Sequence, residues 1–149
     1  MKTLLLFLLI FTPLFAYEQG STLDDATLEA LQINDDRTYI VDFFASWCHS
    51  CEEELPELND LHQDLDSAHY ELVGIDIDKD VSKAKAFQES LDVSFRVIND
   101  SEQKIVSLFK PVGMPSLYII KDKKVLHVIV GAVDNIDEVL RNYLGVRND

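Results

Sequence analysis

The apolar and polar positions of this chain follow two rhythms. Thr38 to Ala45 (T-Y-I-V-D-F-F-A) and Tyr70 to Ile77 (Y-E-L-V-G-I-D-I) are short runs rich in β-branched and aromatic residues, which predicts buried strands. Between them, from Cys48 onward, Cys51, Leu55, Leu58, Leu61 and Leu65 recur at spacings of three and four, the pattern of a helix with one buried face. Pro56 falls inside that run and is expected to kink the helix, because proline has no N–H for the helical ladder. Ala84, Phe87 and Leu91 mark another helix, and Phe95 to Ile98 a short strand. Asp100 to Phe109 reads as a helix, with Asp100 and Gln103 spaced like a capping box. Ser116 to Ile120 and Val125 to Val130 flank Lys121-Asp122-Lys123-Lys124, a hairpin signal. Ile136, Val139, Leu140, Tyr143 and Leu144 form an i, i+3, i+4, i+7, i+8 stripe after Asp134. Ahead of the first strand, Leu23, Ala26, Leu28 and Leu31 give a modest helical signal that ends near Asn34-Asp35-Asp36. The resulting order of strand, helix, strand, helix, strand, helix, hairpin and helix requires an α/β or α+β sheet covered by helices.

The first residues obey neither rhythm. Met1-Lys2-Thr3 is a short basic start, Leu4 to Phe11 is an unbroken apolar run, and Thr12-Pro13 leads to Leu14-Phe15-Ala16 before polar sequence begins. This predicts a secretory signal peptide over residues 1–16, cleaved near Ala16 and leaving one domain over 17–149 in an exported, periplasmic compartment. Thr3 to Ala16 offers 14 residues and contains a proline, against about 20 apolar residues for a membrane span. An uncleaved tether is therefore the lesser alternative, and no Cys follows to accept a lipid.

Composition narrows the function. The 149 residues carry 13 Lys plus Arg against 27 Asp plus Glu, a net charge of −14. That balance excludes nucleic acid or an anionic membrane surface as the main partner, since both need positive charge to offset phosphates. Two cysteines cannot build a disulfide scaffold, and the five glycines fall in no nucleotide-binding spacing. Chemistry without a separate cofactor or metal is expected.

Trp47-Cys48-His49-Ser50-Cys51 directly follows the first predicted strand and opens the first long helix. At a helix N-terminus the unpaired N–H groups and the macrodipole stabilise an anion, which favours the thiolate of the first cysteine. Cys48 is the candidate nucleophile, and Cys51, one turn deeper, the candidate resolving thiol that would attack a mixed disulfide. Two alternatives stand beside this one: inert core thiols, and half of a zinc site completed by His62, His69 or His127. None of those histidines is paired locally; His62 reads as a solvated helix residue and His127 as an ordinary strand position.

With D-F-F-A-S-W-C-H-S-C-E-E-E-L-P in place, and Glu54 and Pro56 completing W-C-x-x-C-x-x-E-x-P, the chain resembles the thioredoxin superfamily. Within it, the resemblance is to exported TlpA/ResA-like disulfide reductases, over about residues 38 to 145. F-R-V-I-N-D followed by Val112-Gly113-Met114-Pro115-Ser116 is similar to the family's extra strand and helix and its cis-proline loop. The resemblance implies a thioredoxin-like α/β fold, a central mixed sheet flanked by helices, with a strand–helix insert before that loop. It also implies a redox-active Cys48–Cys51 disulfide as the only redox centre, tuned by His49, Ser50 and Glu54, with Trp47, Met114 and Pro115 meeting the client. Protein thiols and disulfides are the implied partners, apocytochrome c among them, with a membrane thiol carrier of the DsbD or CcdA kind as electron donor. Two features depart from the pattern. The 21 residues between Ala16 and Thr38 are too few for the usual opening β-hairpin, and Asp42 is more typical of plain thioredoxins.

Asp42 stands in an otherwise apolar strand six residues before Cys48, where an ionised carboxylate is costly. The resemblance gives it the task of moving the proton of Cys51. Glu52, Glu53 and Glu54 follow Cys51 at once and oppose thiolate formation, while a protonated His49 would favour it. Weaker thiolate stabilisation makes a couple more reducing, so the acidic run points to a reductase. The alternatives are a disulfide oxidase or isomerase, and a C-x-x-C metal carrier. Asp76-Ile77-Asp78-Lys79-Asp80 imitates an EF-hand start, but Val81 and Phe87 occupy the positions that need Gly and Glu. Those aspartates are expected to end a strand and cap the next helix.

Overall fold

A computed structural model describes residues 16–146, so nearly all of the leader read at 1–16 lies outside the described residues. The elements run α1 (Asp25–Ala30), β1 (Thr38–Phe44), α2 (His49–Asp64), β2 (Tyr70–Asp76), α3 (Val81–Ser90), β3 (Arg96–Asn99), α4 (Lys104–Phe109), β4 (Ser116–Lys121), β5 (Lys124–Val130) and α5 (Ile136–Leu144). The strands form one mixed sheet in the order β3-β2-β1-β4-β5. β1, β2 and β3 are parallel, and β4 and β5 join antiparallel on the other side of β1.

Central β1 is apolar on both faces because both are covered. Tyr39, Val41 and Phe43 pack with Leu28 and Leu31 near α1 and with Ile105 and Phe109 of α4. Ile40 and Phe44, pointing the other way, meet Leu55, Leu58 and Leu61 of α2 and Leu140 of α5. The side-chain period of a strand therefore puts Asp42 on the α2 face, between Ile40 and Phe44. Gly74 of β2 lies opposite Asp42 in register. A Cβ there would come within 2.6 Å of the Phe44 ring, so the absence of a side chain is what admits that ring.

Several details differ from the sequence reading. α2 continues through Pro56, which lies on its exposed side, where the carbonyl left unpaired one turn back can meet water. The capping box does not form. Asp100 instead accepts from three backbone N–H groups of α4 (Lys104 at 2.8 Å, Ile105 at 3.1 Å, Val106 at 2.8 Å), while the Gln103 side chain donates to the carbonyls of Ile77 and Asp100. Gln103 itself sits at the N-cap in the left-handed region, so it cannot play the reciprocal partner. The hairpin closes on the pair Lys121 and Lys124, with Asp122 (φ 49) and Lys123 (φ 63) both left-handed, as a two-residue primed turn requires. No hairpin precedes β1 among the described residues. Gly20 to Leu23 run beside the hairpin turn and the start of β5, joined by backbone bonds to Lys123 and Val125 and by a single bridge from Thr22 to Lys124. His62 is half-buried, edge-on to Phe95 at 6.0 Å, rather than solvated.

Candidate functional site

The chain leaves β1 through Ala45, Ser46 and Trp47, and Cys48 becomes the N-cap of α2. Its carbonyl accepts the N–H groups of Cys51 and Glu52, and its Sγ accepts the Cys51 N–H at 3.2 Å. A sulfur atom thus occupies the position where a helix presents its free N–H groups and the positive end of its dipole. Cys48 and Cys51 are joined by a disulfide, with Cα atoms 5.3 Å apart. Cys48 is 8% exposed and Cys51 1%.

The loop that carries Cys48 is held from below. Asp78, just beyond β2, accepts the Ser46 N–H at 2.7 Å and the Ser46 hydroxyl at 3.0 Å. The Asp78 N–H in turn donates to Asp76 Oδ1 at 2.9 Å, and Gln88 of α3 donates to Asp76 Oδ2 and to Asn99, both at 2.8 Å. Burial, helped by the Asp78 charge, leaves the Asp76 pKa raised although the Gln88 and Asp78 N–H donors pull against it. Asp80 caps α3 through Ser82 and Lys83, as expected from the sequence. Sequence reasoning missed Asp78 and Ser46, whose partnership spans 32 residues.

Asp42 is 1% exposed, and its Oδ1 has no hydrogen-bond donor among the described residues. Glu54, 6% exposed, has a fully buried Oε1 in the same condition. The two carboxyls face each other. Burial, then the charge and hydrogen bond of Glu54, hold the Asp42 pKa well above the usual carboxylate range. Burial pushes Glu54 up to about 7, although a hydrogen bond from Asp42 works against it. Burial thus favours the protonated forms of both members of this pair, and mutual contact favours it further at Asp42.

The acidic run after Cys51 is therefore not one feature. Helical spacing turns Glu54 inward with Cys51, Leu55 and Leu58, whereas Glu52 and Glu53 stay in solvent beside an exposed His49, at 3.7 and 3.5 Å. The period-three relation of Cys51 to Glu54 was the signal that could have separated them.

The Met114–Pro115 peptide bond is cis. Met114 packs against the cluster that contains both cysteines. Among the described residues neither its N–H nor its carbonyl has a hydrogen-bond partner. Trp47, 65% exposed, and Val112, 88% exposed, are large apolar side chains left in solvent. Ser50 sits between the cysteines, half-buried. No group of three or more His, Cys, Asp or Glu among the described residues could hold a metal ion, and no described helix is long and apolar enough to cross a membrane.

Known proteins share this architecture and sequence. The chain is 30% identical over 105 residues to a thiol-disulfide oxidoreductase ResA of Bacillus cereus, covering 70% of this chain and 60% of that protein. It thus spans less than two thirds of that relative's length. ResA of Geobacillus thermodenitrificans is 24% identical over 156 residues, covering 92% of this chain and 90% of the relative. Among solved structures, a Chlorobium tepidum protein assigned as the thiol:disulfide interchange protein DsbE superposes with a TM-score of 0.74 at 21% identity, covering 87% of this chain and 96% of that one. StoA from Bacillus subtilis gives 0.68 at 19% identity, with coverage of 76% and 86%. These structures share the thioredoxin-like fold. Because residues 13–129 also match the family's sequence pattern, the chain belongs to the AhpC/TSA family.

Proposed function

We propose that this protein is a thiol:disulfide oxidoreductase that reduces protein disulfides in an exported compartment. The observation that carries the reading is the Cys48–Cys51 pair seated on the N-terminus of α2 above the donor-poor Asp42–Glu54 carboxyls. In the reduced protein the Cys48 thiolate attacks a client disulfide. A Cys48–client bond forms, the client S–S bond breaks, and one client sulfur leaves as a thiol. Cys51 then loses its proton and attacks Cys48 Sγ, re-forming the internal disulfide and releasing the second client thiol. Two electrons and two protons pass to the client.

Asp42 and Glu54 supply the place for the Cys51 proton. Asp42 shares the α2-facing side of β1, and Cys51 and Glu54 share the inward side of α2. Once Glu54 ionises, near pH 7, the pair carries one negative charge and has room for one proton. The same buried charge disfavours thiolates, which lowers the reduction potential and favours the reducing direction. Buried charge escapes the salt screening that weakens Glu52 and Glu53. The unbonded backbone of Met114, beside Pro115, gives an extended client an edge to pair with, and Trp47 and Val112 give it apolar contact. His49 and Ser50, inside the motif, complete the surroundings of the cysteines.

Export rests on the leader at 1–16. Consumption of the reduced form requires a dithiol donor, for which a membrane thiol carrier of the DsbD or CcdA kind is suited, and apocytochrome c cysteines are one client class. The test is single-turnover reduction of a disulfide peptide by the reduced protein. Wild type should release peptide thiol, Cys51→Ser should stall as a mixed disulfide through Cys48, and Cys48→Ser should be inert. Adducts formed through Cys51 would reverse the assignment of roles.

A further inference from the structure

β4 begins at Ser116, a fully buried residue in the middle of the sheet, opposite Phe43 of β1 on one side and Val130 of β5 on the other. Ladders on both flanks fix its backbone. From that fixed point its hydroxyl donates back across the preceding loop to the Gly113 carbonyl at 2.6 Å. A second tie comes from Gly131, whose N–H donates to the Pro115 carbonyl at 2.8 Å. Gly131 leaves β5 with φ 82, a left-handed turn that suits glycine. The loop also lies tight on the end of β5, since a Cβ at Gly113 would stand 3.2 Å from Val130 Cγ1. Of the successive carbonyls of Gly113, Met114 and Pro115, the outer two are thus occupied, and the middle one has no donor among the described residues. The Met114 side chain is held as well, packed against the apolar clusters on both faces of the sheet. A client strand pairs with N–H and C=O groups fixed in this way at little conformational cost, whereas a loop that must first be ordered subtracts that cost from binding.

We propose that Ser116 is the positioning residue of the client edge: its hydroxyl holds Gly113 so that the Met114 N–H and carbonyl are preset for an extended client backbone. The proposal rests on the reductase reading above. Ser116 acts through Gly113 and Met114, not on the reacting sulfur atoms. Recognition of this kind reads main chain rather than side chain, so the client class is any polypeptide that presents its disulfide cysteine within an extended segment.

The experiment times single-turnover reduction, by the reduced full-length protein, of a peptide with one internal disulfide and of bis(2-hydroxyethyl) disulfide, which has no peptide backbone. In Ser116→Ala the ratio of the peptide rate to the small-disulfide rate should fall about tenfold, the scale of one hydrogen bond and the ordering it spares. The second readout comes from peptides in which one backbone N–H at a time is replaced by an ester oxygen, walked through the three positions on either side of the attacked cysteine. In wild type one of these esters should slow reduction about fivefold. In Ser116→Ala the same ester should cost less than about twofold, because the edge it pairs with is no longer preset. A merely structural Ser116 would lower the two disulfide rates in proportion or leave the ester penalty unchanged, and either result would overturn the proposal. So would a rate ratio in Ser116→Ala equal to that of wild type. If wild type reduces none of the peptides, the reductase reading itself falls and the proposal falls with it.

Discussion

Two groups of buried carboxyls lie around the strand ends and the first long helix, and their surroundings differ. Asp76, Asp78 and Asp100, at the ends of β2 and β3, find donors for their carboxylates: backbone N–H groups, the Ser46 hydroxyl and Gln88. Asp42 and Glu54, between β1 and α2, each bury an oxygen that has no partner among the described residues apart from the other carboxyl. A carboxyl whose oxygens accept several hydrogen bonds is fixed in place and acts as an anchor. A buried carboxyl stripped of donors holds its proton more tightly than one in water, so it gives the proton up only at higher pH. Asp78 of the first group holds the Ser46 turn that leads to Cys48, and the second group is the pair proposed to move the Cys51 proton.

Removing an anchor should have the largest effect. Asp78→Ala leaves the Ser46 N–H and hydroxyl without an acceptor beneath the loop. Two charge-assisted bonds are lost, so denaturant unfolding should show a loss of about 3 kcal/mol. Asp78→Asn keeps one acceptor and should recover part of it. An unchanged midpoint for Asp78→Ala would place Asp78 outside the support of the loop.

The unsatisfied pair should behave in the opposite sense. Both carboxyls hold their protons more tightly folded than unfolded, so their contribution to stability is full below the ordinary carboxylate range and is lost as pH rises, through about 7 for Glu54. Glu54→Gln removes that loss and can donate to Asp42. Above pH 7 it should therefore be more stable than wild type by about 2 kcal/mol, less than the full linkage because the site is only partly closed to water. Unfolding followed from pH 5 to 8 would show this, and parallel curves for variant and wild type would contradict it.

The sheet, its helices and the cysteine loop were legible because they rest on periodicity and on a motif at a strand–helix junction. Asp42 was legible too, as a lone carboxyl in an apolar strand. Glu54 was named through the motif, but its burial was hidden inside a run of three glutamates, where composition suggests one exposed patch and only helical phase turns the third inward. Asp78 was hidden because its partner, Ser46, is near in space and far along the chain, and no local pattern records that. Asp100 was found as a helix cap, but the reciprocal role given to Gln103 depended on a backbone conformation that spacing does not reveal.

Smaller effects separate caps from patches. Asp100→Ala strips three N–H groups at the start of α4 and should cost about 1.5 kcal/mol, within the range of lost helix caps. Replacing Glu52 and Glu53 together with Gln should change stability by less than about 0.5 kcal/mol, because exposed pairs with His49 contribute little. A loss comparable to that of Asp100→Ala would show that the solvent-facing part of the acidic run is structural.

The central claim is that the Asp42–Glu54 pair, once ionised, holds the disulfide couple reducing. The reduction potential of wild type and of the Asp42→Asn, Glu54→Gln double variant, measured against glutathione and dithiothreitol from pH 6 to 9, tests it. Wild type should lie nearer the about −270 mV typical of thioredoxin than the about −120 mV of a strong oxidant. The two curves should coincide well below pH 7, where the pair is uncharged, and separate above it, with wild type the more negative. A wild-type value above about −180 mV, or curves that stay together across the whole range, would contradict the account.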